Sequence, residues 1–322
     1  MNKLLLRISF MIAMAGLIFT SCKKDSFEPD QNTDYNTTSI KASIPRIVEN
    51  NEGGINVFVN VTNQDGEAIK GLNEDNFKFD LISSGGQVVP LQSTGSSQQP
   101  SLILTALTMD YSGSMYQDSV SIPGMESAIG TFINMKNTLD QVEIIKFSDT
   151  IQVTVPITDN QSLLIAGLND TTFVGHGATK LYGALEQGIT DVIALANTNP
   201  TYLPSVVGFT DGKNNLPPLN ADTLIFNSIA QQVPIYTIGY GVNPDTAQLT
   251  TIAGQTGAQF FWSPGVNDIQ TVYQHINGQL TNTTIIPLPG PQTKGHVTIR
   301  CTATYKNGAG THTAKAEKAF YY

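Results

Sequence analysis

The chain has 322 residues and a formal net charge of −9, with charged residues at 13%. That share is about half the usual one, so Asn, Gln, Ser and Thr supply the polar surface, and with no long basic block the composition argues against nucleic-acid binding. Only two cysteines, Cys22 and Cys301, are present, which excludes a Cys-based zinc cluster.

In chain order, Lys3 and Arg7 precede an apolar run from Ile8 to Phe19, then Thr20-Ser21-Cys22. A basic start and an apolar stretch too short to span a bilayer predict a secretory signal over residues 1–21. Cys22 placed directly after Phe19-Thr20-Ser21 resembles the acylated first residue of a bacterial lipoprotein. Residues 22–38, opening on Lys23-Lys24-Asp25, read as a flexible tether. No second run approaches the roughly 18 apolar residues of a membrane-spanning helix. The expectation is therefore a protein of the bacterial cell envelope (outer membrane, facing the periplasm or the outside) that meets the membrane through its lipid alone. Cys301 is then unpaired, and its place in the alternation Val297, Ile299, Cys301, Ala303, Tyr305 marks it as a small buried hydrophobe.

Residues 39–92 look all-β. Ile55, Val57, Val59 and Val61 alternate with Asn56, Phe58, Asn60 and Thr62, the period of a half-buried strand. Asn63 to Gly66 is a turn, and Phe77–Ile82 and Val88–Leu91 supply further strands. Ser93 to Pro100 is a polar linker. From residue 100 to 281 apolar strands alternate with amphipathic helices: a strand from Leu102, a helix starting properly near Met125, strands at Val142–Phe147 and Ile151–Ile157, and a short helix at Ser162–Leu168. A helix at Lys180–Leu195, a strand at Ser205–Thr210, a helix at Asp222–Gln232, a strand at Pro234–Gly239, a helix at Thr246–Thr256, a strand at Gln259–Trp262 and a closing helix at Val266–Leu280 follow. This alternation predicts a doubly wound, mostly parallel α/β sheet. Thr281 to Gly295, with three prolines, reads as a second linker, and residues 293–322 hold two strands expected to return to the early β-module as a sandwich around the inserted α/β domain.

The stretch Ser101–Ser114 (SLILTALTMDYSGS) is the pivot. A strand buried on both faces ends in Asp110, Ser112 and Ser114, at the carboxyl end where open α/β sheets place ligands. One carboxylate and two hydroxyls at alternate positions offer hard oxygen donors suited to Mg²⁺, Mn²⁺ or Ca²⁺. Thr179 later opens an apolar-periodic helix, and Asp211 ends the buried run from Ser205.

Taken together these stretches resemble the von Willebrand factor type A domain, whose metal-ion-dependent adhesion site uses an Asp-x-Ser-x-Ser loop, a later Thr and a later Asp. The matching positions are Asp110, Ser112, Ser114, Thr179 and Asp211, and the resemblance covers roughly Leu102 to Leu280. Residues 39–92 resemble the β-sandwich module that often precedes such domains in bacterial surface proteins. The resemblance implies that Ser112 and Ser114 ligate directly, Thr179 directly or through water, and Asp110 and Asp211 largely through waters. It further implies that an Asp or Glu of a protein partner completes the coordination. Tyr111, His176 and Lys213 are candidates for the rim that touches this partner, and the closing helix occupies the place of one that shifts in the family.

An enzyme needs another constellation. No Gly-x-Ser-x-Gly occurs, Gly208–Asn214 lacks phosphate-loop spacing, and His176, His275, His296 and His312 form no pair at metal-ligand spacing. The expectation is a binding protein and not an enzyme. An assembly component of an envelope complex, or a hydrolase using Asp110 or Asp211 as base, are the alternatives.

Overall fold

The computed structural model describes residues 36–94, 101–117, 119–175, 177–216, 219–292 and 294–322. The signal segment, Cys22, most of the tether and His176 lie outside them. Among the described residues no helix is long and apolar enough to cross a membrane.

Among the described residues three sheets organise the fold. The central one has the order β11-β10-β9-β6-β7-β8, from β6 (Leu102–Asp110), β7 (Gln141–Phe147), β8 (Ile151–Thr158), β9 (Tyr202–Thr210), β10 (Ile235–Tyr240) and β11 (Phe260–Ser263). All neighbours are parallel except β7 and β8. On β6, Ile103, Leu107 and Met109 face one core, and Leu104 and Ala106 face the other. The two-sided burial explains why the strand shows almost no polar positions. Helices α1 (Ser121–Met135), α2 (Gln161–Leu168) and α6 (Val266–Thr281) cover the first face. Helices α3 (Leu181–Ala196), α4 (Ala221–Gln231) and α5 (Thr246–Thr256) cover the second.

Helix α1 starts at Ser121 rather than near Met125. Pro123 is its third residue, inside the first turn, where backbone N–H groups have no intrahelical partner and a proline removes nothing.

The other two sheets pack as a sandwich. One holds β1 (Ile40–Ser43), β3 (Ile55–Asn63) and β12 (Thr284–Leu288), with β2 (Ile47–Glu49) also on β3. The second has the order β14-β13-β4-β5, from β4 (Phe77–Ser83), β5 (Val88–Leu91), β13 (His296–Asn307) and β14 (Gly310–Tyr321). Val57 and Val59 of β3 meet Phe79 of β4 and Ile299 and Cys301 of β13 in a common core.

Two expectations are corrected here. The stretch Thr281–Gly295 is not simply a linker: β12 lies inside it and pairs antiparallel with β3, Pro287 opposite Asn56. A proline is tolerated because β12 is an edge strand, where the missing N–H breaks no ladder. Strand β3 is likewise not half-buried. Its polar-looking face, Phe58, Asn60 and Thr62, is also buried, because Phe58 joins the core beneath α1 and α6. Asn60 Nδ2 donates there to Gln279 O and Thr283 Oγ1. Gln232, in the left-handed region at φ 55° after α4, fastens the same seam: its side-chain amide accepts from Ile47 N and donates to Ile47 O, both at 2.8 Å.

Candidate metal centre

The connections of β6 and β9 leave in opposite directions, α1 leading to β7 and α4 to β10 on the other side. A crevice outside the carboxyl ends of two such strands is the general ligand position of open α/β sheets. Asp110 is the last residue of β6, and Asp211 directly follows β9.

Asp110 is fully buried. Its Oδ1 accepts from Ser112 N at 2.8 Å, and its Oδ2 accepts from Thr210 Oγ1 at 2.6 Å. Burial pushes its carboxyl up to about 6; the bonds from Thr210 and Ser112 oppose this, and Asp211 adds to the rise. Ser112 Oγ lies 3.2 Å from Ser114 Oγ, which donates to Asp211 Oδ1 at 2.7 Å. Thr179 joins from the loop before α3. A Cβ placed on Gly212 would stand 3.7 Å from Thr179 Oγ1 and 3.9 Å from Ser114 Oγ, so both hydroxyls border the small space this glycine leaves. The five expected oxygen-bearing residues therefore converge.

Other residues hold these in place. Gly113 N donates to Gly177 O at 3.1 Å, tying the first loop to the second. Asn215 brackets Thr179: its Oδ1 accepts from Thr179 N (2.8 Å) and its N donates to Thr179 O (3.1 Å). Asn214 Oδ1 accepts from Tyr182 N and so caps α3, whose own N-cap residue, Lys180, supplies no side-chain cap. Sequence reasoning missed Thr210, Asn214 and Asn215. A hydroxyl directly before Asp211 and an Asn pair shortly after it were the available signals.

The rim differs from expectation. Lys213 is exposed on the loop after Asp211, and His176 lies outside the described residues. Tyr111 is buried and points away from the crevice. Its hydroxyl donates to Glu126 Oε1 of α1 at 2.6 Å, and Lys146 Nζ sits 5.1 Å from its ring centre. Burial, then the Glu126 bond, pushes the phenol far above its ordinary range. Lys146 Nζ in turn donates to Leu168 O and Asp170 O. The alternation of β6 sets this orientation: Tyr111 follows Met109 onto the α1 face while Asp110 and Ser112 turn to the crevice. Gly175 completes the backing, since a Cβ there would come within 2.5 Å of Tyr111 O.

Among the described residues no three His, Cys, Asp or Glu side chains gather as a metal cage, so the crevice offers hydroxyl oxygens backed by two carboxylates. Both bonds to Asp110 come from neutral donors, leaving its charge for a cation. An all-oxygen set of this kind fits a hard divalent ion.

Strand order and crevice define an open α/β domain with an oxygen-lined loop at its switch point. The von Willebrand factor type A domain matches residues 106–275, more than half of the chain, and the chain belongs to that family. Among solved structures, a von Willebrand factor type A protein from Catenulispora acidiphila is similar at 12% identity and TM-score 0.52, over 78% of this chain and 74% of that one. Proximal thread matrix protein 1 from the mussel byssus is similar at 17% identity and TM-score 0.50, over 57% of this chain. This chain spans about half, 49%, of the mussel protein. At these identities the likeness shows the fold alone. No curated protein sequence matches.

Proposed function

We propose that this is a lipid-anchored protein of a bacterial cell envelope that binds a protein ligand through a divalent cation, Mg²⁺ first and Mn²⁺ or Ca²⁺ otherwise. The observation that carries the reading is the convergence of Ser112, Ser114, Thr179 and Asp211 around buried Asp110. Ser112 and Ser114 would hold the ion through their hydroxyls, Thr179 directly or through water, and Asp110 and Asp211 through waters. Bound there, the cation would supply a Lewis-acidic position open to an Asp or Glu of the partner. Asp110 keeps charge in the crevice, Thr210 fixes the carboxylate that bears it, and Asn215 fixes the Thr179 backbone. The set of residues is one for binding rather than turnover. The signal segment and Cys22 support the anchor by sequence pattern.

Calorimetric titration of Mg²⁺ and Mn²⁺ into the full chain in detergent tests this reading. Saturable heat is expected for the wild type and none for an Asp110→Ala, Ser112→Ala double variant with an unchanged circular dichroism spectrum. Identical titrations would refute the metal site. The anchor is checked separately by metabolic labelling with a fatty acid, expected to be lost in Cys22→Ser.

A further inference from the structure

The carboxyl end of the central sheet carries apolar side chains that the oxygen cluster does not use. On the β7 side, Val174 is 64% and Tyr116 39% exposed. Tyr116 follows Ser114 by two residues, and Gly175, next to Val174, packs so closely on the Tyr111 carbonyl that a Cβ would stand 2.5 Å from it, so both side chains border the loop that follows β6. On the β10 side, Val242 is 83% and Trp262 54% exposed. Trp262 Nε1 donates to Gly241 O at 2.9 Å, which fixes the indole against the turn that carries Val242. Apolar side chains scattered singly over a surface need no explanation. These form two pairs set on either side of the crevice, the second fastened by a hydrogen bond.

Strand register gives the spacing. Thr210 lies opposite Gly239, and Gly239 lies opposite Trp262. Two strand spacings separate the end of β9 from Trp262, about 10 Å, or about three residues of extended chain. Between the pairs the surface is polar, and exposed Lys213 adds positive charge beside Asp211. A partner complementary to this arrangement carries negative charge at its centre and apolar groups on its flanks.

We propose that the partner of this site is an extended protein segment in which an acidic residue is flanked on both sides by bulky apolar residues, one seating on Val242–Trp262 about three residues away and the other on Tyr116–Val174. This rests on the metal-site reading above, which supplies the central contact. A side chain already fixed before binding loses little freedom on contact, so Trp262 acts as a preformed seat.

Trp262 is the only tryptophan of the chain and is a built-in reporter. The full chain, with Mg²⁺, is titrated into three fluorescein-labelled blocked peptides. The first has a central Glu with Leu three residues to either side, the second replaces both Leu by Ser, and the third replaces the Glu by Gln. Anisotropy is expected to show the Leu peptide binding about tenfold tighter than the Ser peptide, with Trp262 emission moving to shorter wavelength. The advantage should vanish in a Val174→Ser, Val242→Ser variant, whose exposed positions leave folding intact. Equal binding of the Leu and Ser peptides, both requiring Glu and Mg²⁺, overturns the flanking seats and leaves the metal site standing. A Leu preference that survives Glu→Gln or chelation overturns the metal-site reading instead. No binding of any peptide by a protein that takes up Mg²⁺ overturns the proposed segment.

Discussion

Two buried acids on neighbouring strands of one sheet meet opposite fates. Asp110 ends β6 and receives a backbone N–H and a hydroxyl, which hold its carboxyl near 6 against complete burial. Glu143 lies mid-strand on β7, opposite Ala106. It is equally hidden, its Oε2 has no partner among the described residues, and burial, then Asp191, pushes it up to about 8. Within a ladder the backbone donors are already taken by neighbouring strands. Only where a strand stops does the loop free N–H groups for a carboxylate. The end of a strand therefore sustains a charge, whereas the middle makes the same group keep its proton.

The sharpest way to break this contrast is to neutralise each acid in turn. Asp110→Asn is expected to abolish saturable Mg²⁺ heat and Glu143→Gln to leave it unchanged; loss in both would show that the difference in environment does not decide function. Next in size is Thr210→Val, which strips Asp110 Oδ2 of its hydroxyl donor. Removing such a supporting bond typically costs about 10–100-fold in metal affinity, measurable by the same calorimetry, and an unchanged affinity would make Thr210 incidental.

Glu143→Gln has its own signature, in stability. A carboxyl whose folded pKa is raised favours the folded state while protonated, and that contribution fades as pH rises from its ordinary 4.5 to about 8. The wild type should lose stability across that window and level off above it. Glu143→Gln should lack this loss and unfold at higher denaturant than wild type at pH 9, by on the order of a few kcal/mol at about 1.4 kcal/mol per unit. Parallel curves at all pH values would contradict it. The smallest effect on the site is expected from Tyr111→Phe: roughly 1–3 kcal/mol of stability lost with the bond to Glu126, and a metal affinity indistinguishable from wild type. A large fall in affinity would return Tyr111 to the rim.

The order of strands and helices was legible because the central sheet is buried on both faces and its apolar runs stop abruptly at Asp110 and Thr210. Asp110, Ser112, Ser114 and Asp211 were legible because they sit at or just past such a stop, and Thr179 because it opens a helix at the place the resemblance requires. Less visible was whatever depends on a second element. Tyr111 was among the rim candidates, yet alternation alone already turns it toward α1. Asn60 and Thr62 looked solvent-facing, since a strand's polar face reads the same whether it meets water or a helix whose carbonyls need donors. Pro287 masked β12 because a proline in a strand signals an edge only after its neighbour is known. Thr210, Asn214 and Asn215 act across loops, and single residue types carry no record of their partners.

The pairing of β3 with β12, and of β4 with β13, has a consequence in time. Ile55 finds its partner at Leu288, and Phe79 at Cys301. A chain made from its amino end exposes β3 and β4 until every strand of the central sheet has been synthesised. Contacts so distant in sequence are slow to form unless the intervening chain is already compact. The α/β domain is then the clasp that brings the two halves of the sandwich together, and amides of β6 and β9 should gain exchange protection before those of β3 during refolding. Simultaneous protection would instead mean that both layers assemble in one step.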